Sequence, residues 1–171
     1  MIQYGKQNIN DDDKKAVIEV FNSGYLTQGP QIEIFEKKLA SYCNVKYALA
    51  LNSGTAALHL AYLAANIGEG DEVIVPPNTF VATTNMLLAC GAKPVFCDID
   101  INTHNIDESK IESLITSKTK AIAVVDFSGR PCEYEEILNI AKKHNLLLID
   151  DAAHSLGADY KSSKVGGIAD M

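Results

Sequence analysis

The sequence has no tryptophan, no excess of positive charge, no long apolar run and no paired cysteine motif. Each absence removes a class of function. A bilayer span needs about 18 or more successive apolar residues, and the longest candidate, Ala56 to Ala65, is shorter and broken by His59. The first thirteen residues are polar and lack the apolar core of a secretory leader. Lys and Arg number 15 against 22 Asp and Glu, so 15 − 22 gives a net charge of −7. That balance argues against nucleic acid, whose binders need a basic face to displace counterions from phosphates. Cys43, Cys90, Cys97 and Cys132 show no C-x-x-C spacing, and reduced thiols in a cytoplasmic protein are the expectation.

Three further absences narrow the chemistry. Gly68-Glu69-Gly70 begins like a dinucleotide fingerprint, but it follows a helix, precedes a strand and lacks a third glycine. No G-x-S-x-G elbow surrounds Ser53, so a hydrolase is disfavoured. His59, His104 and His144 are scattered, and Asp11–Asp13 reads as a solvated helix start, so no metal is expected.

What is present is a globular composition: 171 residues, 47% apolar and 22% charged. Asn10 followed by three aspartates predicts a capped helix with Ala16, Val17, Val20 and Phe21 on its apolar face. Pro30 opens a second helix, with Ile32, Phe35, Leu39 and Tyr42 as its expected buried stripe. From Lys46 strands and helices alternate. Strands are expected at 47–51, 72–75, 94–97, 121–125 and 146–149. Helices are expected at 56–65, 79–90, 108–115 and 133–144. Strands apolar on both faces and separated by helices imply an α/β fold with a parallel sheet covered on both sides. The last stretch, Val165–Met171, reads as the approach to another strand, as if the chain were the front part of a longer protein.

In such sheets ligands sit beyond the carboxyl ends of the strands. Three segments at those ends are unusual. Ser53-Gly54-Thr55 joins a strand to a helix, and is either an ordinary N-cap or an anion site built from free amides and hydroxyls. Phe80, after Pro76-Pro77, is either a core residue or a flat face for an aromatic ligand. Asp150-Asp151 ends a wholly apolar strand, where a buried carboxylate is costly without a partner. They are either helix-capping acids or a counter-charge for a cationic ligand, and His154 follows them.

Taken in order, Asn-Ser-Gly-Thr-Ala-Ala-Leu-His-Leu (52–60), Gly-Glu-Gly-Asp-Glu-Val-Ile-Val-Pro (68–76), Asn-Thr-Phe-Val-Ala-Thr (78–83), Gly-Ala-Lys-Pro-Val-Phe (91–96), Asp-Ile-Asp (98–100) and Asp-Asp-Ala-Ala-His (150–154) resemble the DegT/DnrJ/EryC1/StrS family. The resemblance runs from Tyr4 to Asp170. It implies the type I aminotransferase fold and a sugar aminotransferase that uses pyridoxal 5′-phosphate (PLP). It also implies a PLP-binding large domain over 30–171, preceded by a helical segment over 1–29. Ser53, Gly54 and Thr55 would hold the phosphate, Phe80 would stack on the pyridine ring, Asp151 would pair with its protonated nitrogen, and His154 would lie near its hydroxyl. Gly24–Pro30, Pro77–Phe80 and Val125–Gly129 are similar to the enzymes of pseudaminic-acid synthesis. In that branch Tyr4, Gly24, Tyr25, Leu26 and Thr27 would contact a UDP-linked 4-keto-6-deoxy sugar, glutamate would donate the amino group, and the enzyme would be a homodimer. One departure is Gly54, where many members of that branch have Ala.

The family's Schiff-base lysine has no match here. Lys161 and Lys164 lie in a polar turn, so no catalytic residue is expected within this chain and the lysine is expected beyond Met171. The alternative is a non-catalytic homologue or remnant that binds PLP or a sugar nucleotide, or only pairs with a partner. In the family the 47–51 strand lies beside a later strand. Without that neighbour the sheet would be incomplete and the 171 residues marginally stable.

Overall fold

The computed structural model describes residues 6–171. Tyr4 lies outside the described residues.

The chain starts with two helices whose ends are set locally. α1 (Asp11–Asn22) is capped by Asn10, whose side chain accepts from the amides of Asp12 and Asp13, while Asp13 accepts from the Asn10 amide at 2.9 Å. This reciprocal box satisfies amides that the helix cannot. The three acids of the first turn suit its positive end. α2 (Pro30–Cys43) carries Pro30 in its first turn and ends at Asn44 in the left-handed region. The expected burial of their apolar stripes does not hold. α1 buries nothing, α2 buries only Ala40 and Cys43, and Phe21 and Phe35 stay 67% and 55% exposed. Amphipathic spacing says which face wants cover; among the described residues it is the end of α2 near Tyr42 that meets another element, the short strand Ser163–Lys164.

The expected strand at 47–51 also does not form. Tyr47 and Leu49 are exposed, and the Ala50 amide donates to the Glu36 carboxylate at 2.8 Å. A strand exists through its ladder, and no neighbour among the described residues supplies one.

The core is one parallel sheet in the order β2-β1-β3-β4, from β1 (Glu72–Val75), β2 (Lys93–Phe96), β3 (Thr119–Val125) and β4 (Leu147–Asp151). Side chains alternate strictly. Val73, Val75, Ala121, Ala123 and Ile149 face α3 (Gly54–Ala64) and α4 (Ala82–Ala89). Ile74, Ile122, Val124 and Leu148 face the other way, towards α5 (Glu108–Ile111) and α6 (Tyr134–His144). Helices therefore cover both faces, as the continuous apolar runs imply.

Two boundaries differ from expectation. α4 begins at Ala82 rather than Thr79, so Phe80 sits in the preceding turn. The 108–115 helix tightens after one turn into a 3-10 segment, Glu112–Leu114. The stretch read as approaching a strand lies on the free edge of β4. The Asp170 amide donates to the Leu148 carbonyl, and the Asp150 amide to the Met171 carbonyl.

Candidate functional site

The alternation of β4 decides where its two acids go. Ile149 packs on the α3–α4 side, so Asp151, two residues on, points to that side as well. There the Thr83 hydroxyl of α4 donates to Asp151 Oδ2 at 2.7 Å. A hydroxyl has one proton, so the 2.7 Å contact between Thr79 and Thr83 is donated by Thr79. The result is a short relay, Thr79 to Thr83 to Asp151, that fixes the carboxylate. Tyr62 of α3 braces it by donating its buried hydroxyl to the Thr83 carbonyl at 2.9 Å. Burial first, and then the charge of Asp151, push the Tyr62 phenol well above its usual range, so it stays a donor. Asp151 Oδ1 has no protein partner among the described residues.

Ser53 caps α3 and accepts from the Ala56 amide at 3.1 Å, while Ala57 donates to the Ser53 carbonyl. The amides of Gly54 and Thr55 are left without an acceptor among the described residues. A side chain at Gly54 would meet nothing within 4 Å, so the space over this helix end is open. Free amides at a helix N-terminus attract an anion.

These two places share one cavity of about 270 Å³, lined by Gly54, Ala57 and Leu58 on one side and by Asp150, Asp151 and Ala152 on the other. Amides that want an anion thus stand opposite a carboxylate that wants a cation. A ligand with an anionic tail and a protonated heterocycle has this polarity, and PLP is such a ligand. The residues present fit it.

The other expected residues are not gathered so closely. Phe80 is 72% exposed and does not line that cavity. His154 is exposed, and its backbone carbonyl lies against Gly129, where a side chain would approach it to 2.9 Å. Tyr25 and Leu26 line a separate cleft of about 190 Å³ between α1 and α2, while Gly24 and Thr27 line neither space.

Two groups were not foreseen as functional. One is Thr83, which sits 68 positions from Asp151 and carries no local signal beyond its place at the end of Asn-Thr-Phe-Val-Ala-Thr. The other surrounds Asp150 on the opposite face. The Tyr134 hydroxyl lies 2.5 Å from Asp150 Oδ2 and 2.9 Å from Asp126 Oδ2. Burial, and next the Asp126 charge, push the Asp150 carboxyl up to about 7, against the lowering effect of Tyr134.

The profile of the DegT/DnrJ/EryC1/StrS aminotransferase family matches residues 7–171. The UDP-4-amino-4,6-dideoxy-N-acetyl-beta-L-altrosamine transaminase of Campylobacter jejuni is 48% identical over 174 residues, covering 100% of this chain and 46% of its own. Helicobacter pylori PseC, an aminotransferase of pseudoaminic acid biosynthesis, superposes with a TM-score of 0.92 at 44% identity, over 98% of this chain and 45% of its own. The PLP-form of Spr1654, a candidate sugar aminotransferase of Streptococcus pneumoniae, gives 0.93 at 33% identity, over 99% and 47%. The chain thus spans less than half the length of each of these relatives.

Proposed function

We propose a function on the ground that this chain belongs to the DegT/DnrJ/EryC1/StrS aminotransferase family: it builds one wall of the active site of a PLP-dependent sugar-nucleotide aminotransferase. The observation that carries the reading is the single cavity lined by both Gly54 and Asp151.

When bound, PLP supplies an electron sink for proton loss at the amino donor. The chain's own residues bind and orient it. The amides of Gly54 and Thr55, with the hydroxyls of Ser53 and Thr55, hold the phosphate against the start of α3. Asp151, aimed by Thr83, keeps the ring nitrogen protonated by standing as its counter-charge. Phe80, whose exposed face is free, would stack on the ring when the cofactor is bound. His154 would serve the ring hydroxyl. No residue of this chain is assigned the proton transfer itself. That task falls to a lysine outside these residues, which the full coding sequence is expected to carry.

The substrate class follows the similarity to the altrosamine transaminase: a UDP-linked 4-keto-6-deoxy sugar, aminated with glutamate as donor. Tyr4 and the Gly24–Thr27 stretch are its proposed contacts, in a cytoplasmic homodimer. The 1–29 segment then serves the sugar nucleotide, and 30–171 the cofactor.

Equilibrium dialysis of PLP against the whole protein tests the reading. Asp151→Asn removes a charge-assisted hydrogen bond worth about 1.5–3 kcal/mol, so retention should fall roughly 10- to 100-fold. Unchanged retention would refute the assignment.

A further inference from the structure

Two adjacent carboxyl groups at the end of one strand pose an electrostatic problem. Both as anions would repel each other and would over-neutralise a single ring cation. The face opposite Asp151 holds the answer.

Tyr134 Oη contacts two carboxyl oxygens, Oδ2 of Asp150 and Oδ2 of Asp126. A phenol has one proton to give. If both acids were ionised, one contact would press two lone pairs together without a hydrogen between them. One more proton closes the count, and its place can be read from the partners. Asp126, wholly buried, also accepts the Cys132 amide at 2.8 Å, so both its oxygens are satisfied as an anion. Asp150 Oδ1 is buried with no hydrogen-bond partner among the described residues, an arrangement that an anion tolerates poorly. Asp150 therefore donates to Tyr134 Oη, and Tyr134 donates to Asp126.

We infer that Asp150 is held as the neutral acid by Tyr134 and Asp126, so that Asp151 stands as the single negative charge offered to the cofactor ring. Asp150 is thus a positioning residue acting through Asp151. The second half of this statement rests on the PLP reading above; the first does not.

The other groups around Asp150 leave that count unchanged. The Cys132 thiol is buried and points to the Val125 carbonyl. Tyr160 meets the Tyr134 ring edge-on, at 5.4 Å between centroids. Lys46 and Asp170 line the larger cavity beside Asp150, and neither hydrogen-bonds to it.

Two measurements on the whole protein test the proton. In an infrared titration, the carbonyl stretch of a neutral carboxyl should persist near pH 6, about two units above an ordinary aspartate. It should vanish in Asp150→Asn, whereas in Asp126→Asn, which removes a neighbouring negative charge, it should remain but fade at a lower pH than in the parent. Absence of the band in the parent, or its persistence in Asp150→Asn, would overturn the inference. In thermal melts, a raised folded-state value means that the parent loses stability as pH climbs from about 4 to about 7. Asparagine can donate to Tyr134 Oη without titrating. The melting gap between Asp150→Asn and the parent should therefore widen by several degrees in favour of the variant over that range, then level off. A gap that does not change with pH would overturn the inference. Dialysis separates the two readings: if the parent binds no PLP while the band stands, the function falls and the neutral Asp150 remains.

Discussion

α1 and β1 are both rich in apolar side chains, yet α1 buries none of its residues and β1 buries all four. The contrast extends to their surroundings. Over residues 6–51 caps and a proline shape the chain, and its apolar faces, Ala40 and Cys43 apart, largely meet solvent. From Glu72 onward the strands β1, β3 and β4 lie between helices. Caps act over three or four residues and need no partner, so helix ends form wherever the sequence writes them. Burial needs a second surface, and among the described residues the well-covered surfaces belong to the sheet and its helices.

Core truncation should expose this contrast most strongly. Ile122→Ala, at a wholly buried position of β3, should cost about 2–5 kcal/mol in urea unfolding. Phe35→Ser, on the open face of α2, should stay within roughly 0.5 kcal/mol. A comparable loss at Phe35 would show that the face is covered in solution. A smaller effect separates two glycines that both adopt left-handed backbone. Gly129→Ala would also drive a methyl group to 2.9 Å from the His154 carbonyl, and should cost about 1–3 kcal/mol. At Gly24 the added methyl meets nothing, so only the backbone term of about 1–2 kcal/mol remains. Equal losses would mean that the 129–154 contact is looser than its geometry. A local effect should follow Asn10→Ala, at about 1 kcal/mol. Circular dichroism should show it as fraying of α1 that leaves the sheet's melting unchanged.

The sheet was legible in the sequence because runs such as Ala-Ile-Ala-Val-Val (121–125) are apolar at every position, as a strand covered on both sides requires. Tyr47–Leu51 carries much the same signal and yet forms no ladder, since composition cannot state whether a neighbour is present. Ser53-Gly54-Thr55 and Asp151 stood out as polar interruptions at strand ends, and the fold brings Gly54 and Asp151 to one cavity. Thr83 and Tyr134 did not stand out. Each is an ordinary helical residue until the strand alternation sends Asp151 to one and Asp150 to the other.

That alternation makes β4 intolerant of insertion or deletion. A slip of one position would exchange the faces of residues 150 and 151 and turn Leu148 and Ile149 into each other's cores. The proton-bearing acid would then look towards the α3 amides, and the anion would be shut in against Tyr134. Length changes among natural variants should therefore spare 147–151 even where loops such as 101–104 differ freely.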